Sequence, residues 1–91
     1  MTIDKFILIF SDITDQPYID KNGACFFMNS ASEAQQFIKQ RKHTKVSELK
    51  HYKNITSYVD TLWLKGVKKL NIKLKEKDSF IVYDIKEEDL R

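Results

Sequence analysis

Lys21-Asn22-Gly23-Ala24-Cys25-Phe26-Phe27-Met28-Asn29-Ser30-Ala31-Ser32-Glu33 contains a turn, a strand and a helix start in one uninterrupted stretch. Asn22-Gly23 supplies the positive φ angles that a tight hairpin turn needs. The apolar run Ala24 to Met28 is then one arm of a hairpin, and Tyr18-Ile19-Asp20 is the other. Ser30-Ala31-Ser32-Glu33 is a capping box, in which Ser30 and Glu33 satisfy each other's orphan backbone donors. A helix follows, with Ala31, Ala34, Phe37 and Ile38 on its inner face and Gln35, Gln36, Lys39 and Gln40 left to solvent.

Upstream, Phe6-Ile7-Leu8-Ile9-Phe10 is apolar on both faces and short enough to be a strand, which places it inside a sheet rather than at its edge. Ser11 to Asp15 reads as the loop that leaves it. Downstream, Thr44 to Leu49 holds a short extended piece around Val46, followed by the basic loop Lys50-His51-Tyr52-Lys53. A second helix starts after Asn54, which reads as its cap, and carries Ile55, Tyr58, Val59, Leu62 and Trp63 on one face. Gly66 suits the left-handed position that ends it, and Val67 falls where a Schellman motif seats an apolar residue against Leu62.

Leu70-Asn71-Ile72-Lys73-Leu74-Lys75 alternates strictly and predicts a strand with one buried and one wet face. Glu76-Lys77-Asp78 turns into Phe80-Ile81-Val82-Tyr83, a last strand paired with it as a hairpin. Lys86 to Arg91 is a short terminal helix anchored by Ile85 and Leu90. The expected fold is α+β, a single domain over residues 1–91. It has a mixed, mostly antiparallel sheet of about five strands, two main helices on one face and a short C-terminal helix.

A chain of 91 residues with 42% hydrophobic and 12% aromatic content has enough apolar mass for one core, and two glycines and one proline argue against a linker-rich or disordered design. The single cysteine, Cys25, excludes an intramolecular disulfide, and its neighbours Ala24, Phe26 and Phe27 predict a buried structural thiol. The five-residue apolar run beside Asp4 is too short and wrongly flanked for a secretory signal. No stretch is long enough to span a bilayer, so a reducing, cytoplasmic setting without membrane contact is expected. Asn54-Ile55-Thr56 matches a glycosylation acceptor that such a setting leaves silent.

Charge is unevenly distributed. The total is +3, but residues 1–38 carry −3, residues 39–77 carry +9 and residues 78–91 carry −3. That asymmetry permits contact with an anionic partner without requiring one, since lysines also commonly cover helix faces and edge strands. Lys39, Arg41, Lys42, His43, Lys45, Lys50, His51 and Lys53, with Tyr52 among them, are the residues that would hold an acidic partner surface or a phosphate backbone, the tyrosine stacking on a base. The structural reading is the preferred one, because Lys39, Arg41 and Lys42 lie where the first helix ends and its dipole favours cations.

For catalysis, His43 and His51 are separated in sequence from Cys25 and from most carboxylates, so no nucleophile, base and orienting group assemble and no catalytic residue is assigned. Asp12, Asp15 and Asp20 follow the first strand and are the residues a small hydrolase or phosphotransfer protein would use, with a hard cation such as magnesium. Their spacing matches no calcium or phosphate-handling motif, and aspartate is equally at home in turns. No histidine or cysteine pair has zinc-ligand spacing, and no cofactor is expected. Trp63 and Phe26-Phe27 belong to predicted buried faces rather than to a ligand pocket.

Pro17-Tyr18-Ile19-Asp20 through Gly23, Phe26-Phe27-Met28-Asn29-Ser30, Ala34 and Phe37 together resemble the N-terminal domain of the enhanced-serine-sensitivity (SseB-like) family. The likeness extends to a leucine-rich helix entering a strand near Leu70-Asn71-Ile72. It departs where the family has an Asn-Pro-Gly-like turn and this chain has Asn71-Ile72-Lys73. The resemblance implies a bacterial cytoplasmic α/β domain without an established enzymatic role, acting through protein contacts, and it transfers no catalytic residue.

The reading of the whole chain is a non-enzymatic interaction or regulatory domain with a protein partner. The alternatives are a nucleic-acid-binding accessory protein using residues 39–53 and a small hydrolase using Asp12, Asp15 and Asp20. A homodimer through an exposed strand edge is compatible with each.

Overall fold

The computed structural model describes residues 6–46, 55–73 and 79–90. Two strands, β1 (Ile7–Ser11) and β2 (Ala24–Met28), are buried along almost their whole length and form the middle of the molecule. Then come helix α1 (Ala31–Gln40), the short strand β3 (Thr44–Val46), helix α2 (Ile55–Leu64), strands β4 (Lys69–Lys73) and β5 (Ile81–Asp84), and a 3-10 turn at Glu87–Asp89. The strands form one sheet in the order β3-β1-β2-β4-β5. Three of its pairings are antiparallel, and β2 runs parallel to β4, which is reached through α1, β3 and α2. The α+β class, the mixed five-stranded sheet, the two main helices and the final hairpin are as the sequence predicts.

The placement of the helices is not. The two were expected on one face, and they lie on opposite faces. Leu8, Phe10, Cys25, Phe27, Leu70 and Ile72 meet Ile55, Val59 and Leu62 of α2 on one side. Ile7, Ile9, Phe26 and Met28 meet Ala34 and Phe37 of α1 on the other. The reason lies in β1 and β2 themselves, because strands apolar at every position need cover on both faces. Within α1, Ala34 and Phe37 are buried and Ile38 packs partly against them. Ala31, placed inward from the sequence, is exposed, one turn too early to reach the sheet.

The Asn22-Gly23 turn is present, but it does not close the expected hairpin. Asp20 N–H donates to Ala24 O (2.9 Å) and Gly23 N–H to Asp20 O (3.0 Å). Only Gly23 takes a positive φ, +78°. This is a three-residue loop with a left-handed glycine rather than a two-residue turn. Tyr18-Ile19-Asp20 is not a strand. Tyr18 N–H instead donates to Ile9 O (3.0 Å) and Ser11 N–H to Gln16 O (2.8 Å), folding this segment back on β1. Both edges of β2 are thereby occupied, by β1 and by β4.

Local signals elsewhere hold. Ser30 Oγ accepts the Glu33 N–H at 3.3 Å, the forward half of the capping box. At the end of α2, Val67 N–H donates to Leu62 O and Gly66 N–H to Trp63 O, both at 3.0 Å, with Gly66 at φ +90°. Those bonds are the Schellman pattern, and Val67 is fully buried in the same cluster as Leu62. At the C-terminus Ile85 is buried and Leu90 packs against the α2-side core. Asp89 closes the 3-10 turn by accepting from the Tyr83 hydroxyl (2.9 Å) and from Lys86 N–H (2.8 Å). Asn54, read as the cap of α2, lies outside the described residues. Among the described residues no helix is long and apolar enough to cross a membrane.

Candidate interaction surface

The cations of the basic segment have separate fates. Lys39 and Lys42 are exposed at the end of α1. Arg41 leaves the helix in extended conformation, its carbonyl accepting the Thr44 hydroxyl at 3.1 Å. Its guanidinium lies over both the Phe26 and Phe37 rings, 4.8 Å from each centroid. His43 is left-handed (φ 63°), its carbonyl accepts Asp12 N–H at 3.1 Å, and its Nδ1 stands 3.6 Å from Asp12 Oδ1. Lys45 is ion-paired with Asp15. Lys50, His51, Tyr52 and Lys53 lie outside the described residues.

The three carboxylates proposed for a hydrolase are divided between two loops. Asp12 and Asp15 are exposed on the β1 loop and engaged by His43 and Lys45. Asp20 belongs to the turn before β2, where its Oδ1 accepts Asn22 N–H (2.9 Å) and Ala24 N–H (3.0 Å). Each therefore has a local structural partner, the use of aspartate common to turns. No group of three or more His, Cys, Asp or Glu able to hold a metal occurs among the described residues. Cys25 is free and fully buried, and burial pushes its thiol up to about 12, which makes it a packing residue rather than a nucleophile.

Among the described residues the α1 side of the sheet is covered by helix α1 over one half, with Phe80 packing against the same cluster. Helix α1 packs over β1, β2 and β3. The parallel register sets Lys69, Asn71 and Lys73 of β4 beside Ala24, Phe26 and Met28, and the antiparallel register sets Asp84 and Val82 beside Lys69 and Asn71. Asp20, Asn22, Ala24, Lys69, Asn71 and Val82 line an open hollow of about 350 Å³. Lys69 Nζ lies 3.7 Å from Asp84 Oδ1 across its outer rim.

On the inner side stands an aromatic cluster. Phe26 packs on Phe37 (4.9 Å between centroids), Phe80 (5.5 Å, edge-on) and Tyr18 (5.9 Å). Tyr18 and Phe80 remain partly exposed, and Phe26 is the register neighbour of Asn71. The hollow therefore offers the amides of Asn22 and Asn71, the ammonium of Lys69 and the carboxylate of Asp20, and the aromatic cluster with Arg41 over it lies beyond Phe26, the register neighbour of Asn71.

β5 is the edge strand on this side, and Ile81 and Val82 are 50% and 58% exposed. Ile85 N–H donates to Lys68 O at 2.8 Å, so alternate residues 81, 83 and 85 address β4. The backbone groups of Val82 and Asp84 face the outer edge, which no described strand pairs. The wet face was legible in the alternation of residues 70–75. Asn22, Lys69, Asn71 and Val82 were missed as site residues because their convergence depends on which half of the sheet α1 leaves bare.

No family model, curated protein or solved structure matches the chain.

Proposed function

We propose that this protein is a non-enzymatic interaction domain whose protein partner docks on the half of the sheet that helix α1 does not reach, over β4 and along the β5 edge. The observation that carries this reading is the pairing of an open polar hollow with an exposed apolar edge strand, Ile81-Val82. An unpaired edge supplies main-chain hydrogen bonds to an added strand, and side-chain pockets beside it supply selectivity. The SseB-like resemblance belongs to the same proposal, since it implies action through protein contacts in a bacterial cytoplasm.

The test is to select extended peptides from an unbiased library and titrate the best binder into isotope-labelled protein. Amide shifts concentrated at Lys69, Asn71 and Val82, and abolished by Val82→Arg, support the proposal. Shifts confined to the β1 loop, or a reproducible turnover that vanishes when Asn71 is replaced, would sink it.

A further inference from the structure

We propose that Arg41 is the selectivity residue of this surface, receiving an Asp or Glu side chain from an extended acidic segment of the protein partner. This rests on the docking surface proposed above and adds the chemistry of what docks there.

A guanidinium held over aromatic rings is bound through its π face, which leaves the N–H groups around its rim for hydrogen bonding. Arg41 lies over Phe26 and Phe37 in this way, and among the described residues its donors meet no acceptor. The rings are themselves fixed, Phe26 being 3% and Phe37 8% exposed. The backbone of Arg41 is held by the Thr44 hydroxyl. The long side chain is thereby ordered before any ligand arrives, which removes much of the usual cost of immobilising it.

The contrast with its neighbours is informative. His43 and Lys45, further along the same segment, face Asp12 and Asp15. Arg41 faces the rings, with the exposed Lys39 and Lys42 close by in sequence, so among the described residues no carboxylate is paired with the cations at this end of α1. Position links it to the hollow, because the Phe26 beneath it is the register neighbour of Asn71 on the hollow floor.

Two observations favour an acidic peptide over a nucleic acid. A phosphate backbone needs a continuous cationic track, and among the described residues the track meets Asp12 and Asp15 directly after Lys42. Base stacking needs open ring faces, whereas Phe26 and Phe37 are buried under Arg41 and Tyr18 and Phe80 expose only part of theirs. A carboxylate, by contrast, matches the paired donors of a guanidinium edge.

The experiment uses the full chain and three probes: a pooled peptide library with glutamate at alternate positions, a matched library with lysine there, and a mixed-sequence single-stranded oligonucleotide. Binding is read by fluorescence anisotropy and by the Arg41 Nε–H resonance. The expected result is preference for glutamate peptides, a shift of that resonance together with Asn71 and Val82, and about tenfold weaker binding in Arg41→Gln. Arg41→Lys, which keeps the charge and loses the planar fork, should recover only part of the affinity. Retained dispersion of the amide spectrum shows that each variant folds.

Peptides that shift Asn71 and Val82 equally well in wild type and Arg41→Gln would overturn the role of Arg41 and leave the docking surface standing. Binding of the oligonucleotide through Arg41, with no glutamate peptide bound, would overturn the acidic partner in favour of a nucleic acid. Failure of every probe to perturb the hollow would overturn both.

Discussion

The β1–β2 half of the sheet and the β4–β5 half are built from strands of similar length, yet they are finished differently. In β1 and β2 nearly every residue is buried, and each face carries its own helix. In β4 only Leu70 and Ile72 are buried, both toward α2, and no residue of β5 is. One half is sealed and provides stability, and the other presents a polar face and a strand edge. The lesson is that function on such a sheet is to be sought where the apolar run gives way to alternation, because a polar face does not itself require apolar cover.

The sharpest way to break this comparison is to truncate one side chain in each half. Phe27→Ala removes a fully buried ring from the α2 side of β2 and should cost about 3–5 kcal/mol in a urea melt. A loss below about 1 kcal/mol would mean that the sealed half does not hold the fold together.

Next in size is a pH effect seated in the same strand. The Cys25 thiol is raised from 9.0 to about 12, first by desolvation, with a smaller push from the charge of Asp20. Below pH 9.0 both folded and unfolded chains keep the proton, and the full stability is present. Between 9.0 and about 12 only the unfolded chain ionises, so stability falls as pH rises. The slope should approach about 1.4 kcal/mol per unit and be absent in Cys25→Ala, measured as the difference between their melts. The native thiol should also resist alkylation until the protein is unfolded.

Gly66→Ala tests the joint between the halves, where α2 hands over to β4. A Cβ would meet nothing within 4 Å, but φ +90° strains any L side chain, so a loss of about 1 kcal/mol is expected. An unchanged melting temperature would show that the Schellman turn relaxes without penalty. The smallest effect belongs to the open half. Val82→Thr changes a 58% exposed edge residue and should alter stability by less than about 0.5 kcal/mol, while reducing binding of any peptide selected against the hollow. A destabilisation as large as that of Phe27→Ala would erase the distinction between the two halves.

Much of the fold was legible because its signals are local. The Ser30 cap, the Gly66-Val67 exit from α2 and the alternation at Leu70-Asn71-Ile72-Lys73 depend on residues within a turn or two of one another, and each forms as read. The Tyr18-Ile19-Asp20 arm failed because a turn motif specifies a reversal of the chain and not the partner that β2 takes up afterwards. Competition decided that, and β1 and β4 won both edges. Of the candidate site, the charge of residues 39–45 was visible. That Arg41 would lie over Phe26 and Phe37, and that His43 and Lys45 would meet Asp12 and Asp15, was not.

By itself, the sequence determined the two helices, the order of the elements apart from the Tyr18-Ile19-Asp20 arm, the buried thiol and the demand of two wholly apolar strands for cover, since these follow from hydrogen bonding along the chain and from hydrophobic periodicity. Only the tertiary structure decided which helix covers which face, that α1 does not reach the β4–β5 half, and which of the described cations meet a carboxylate and which lies over rings. Those outcomes depend on packing between residues far apart in the chain, where burial of apolar surface selects one arrangement among several that the local signals allow equally.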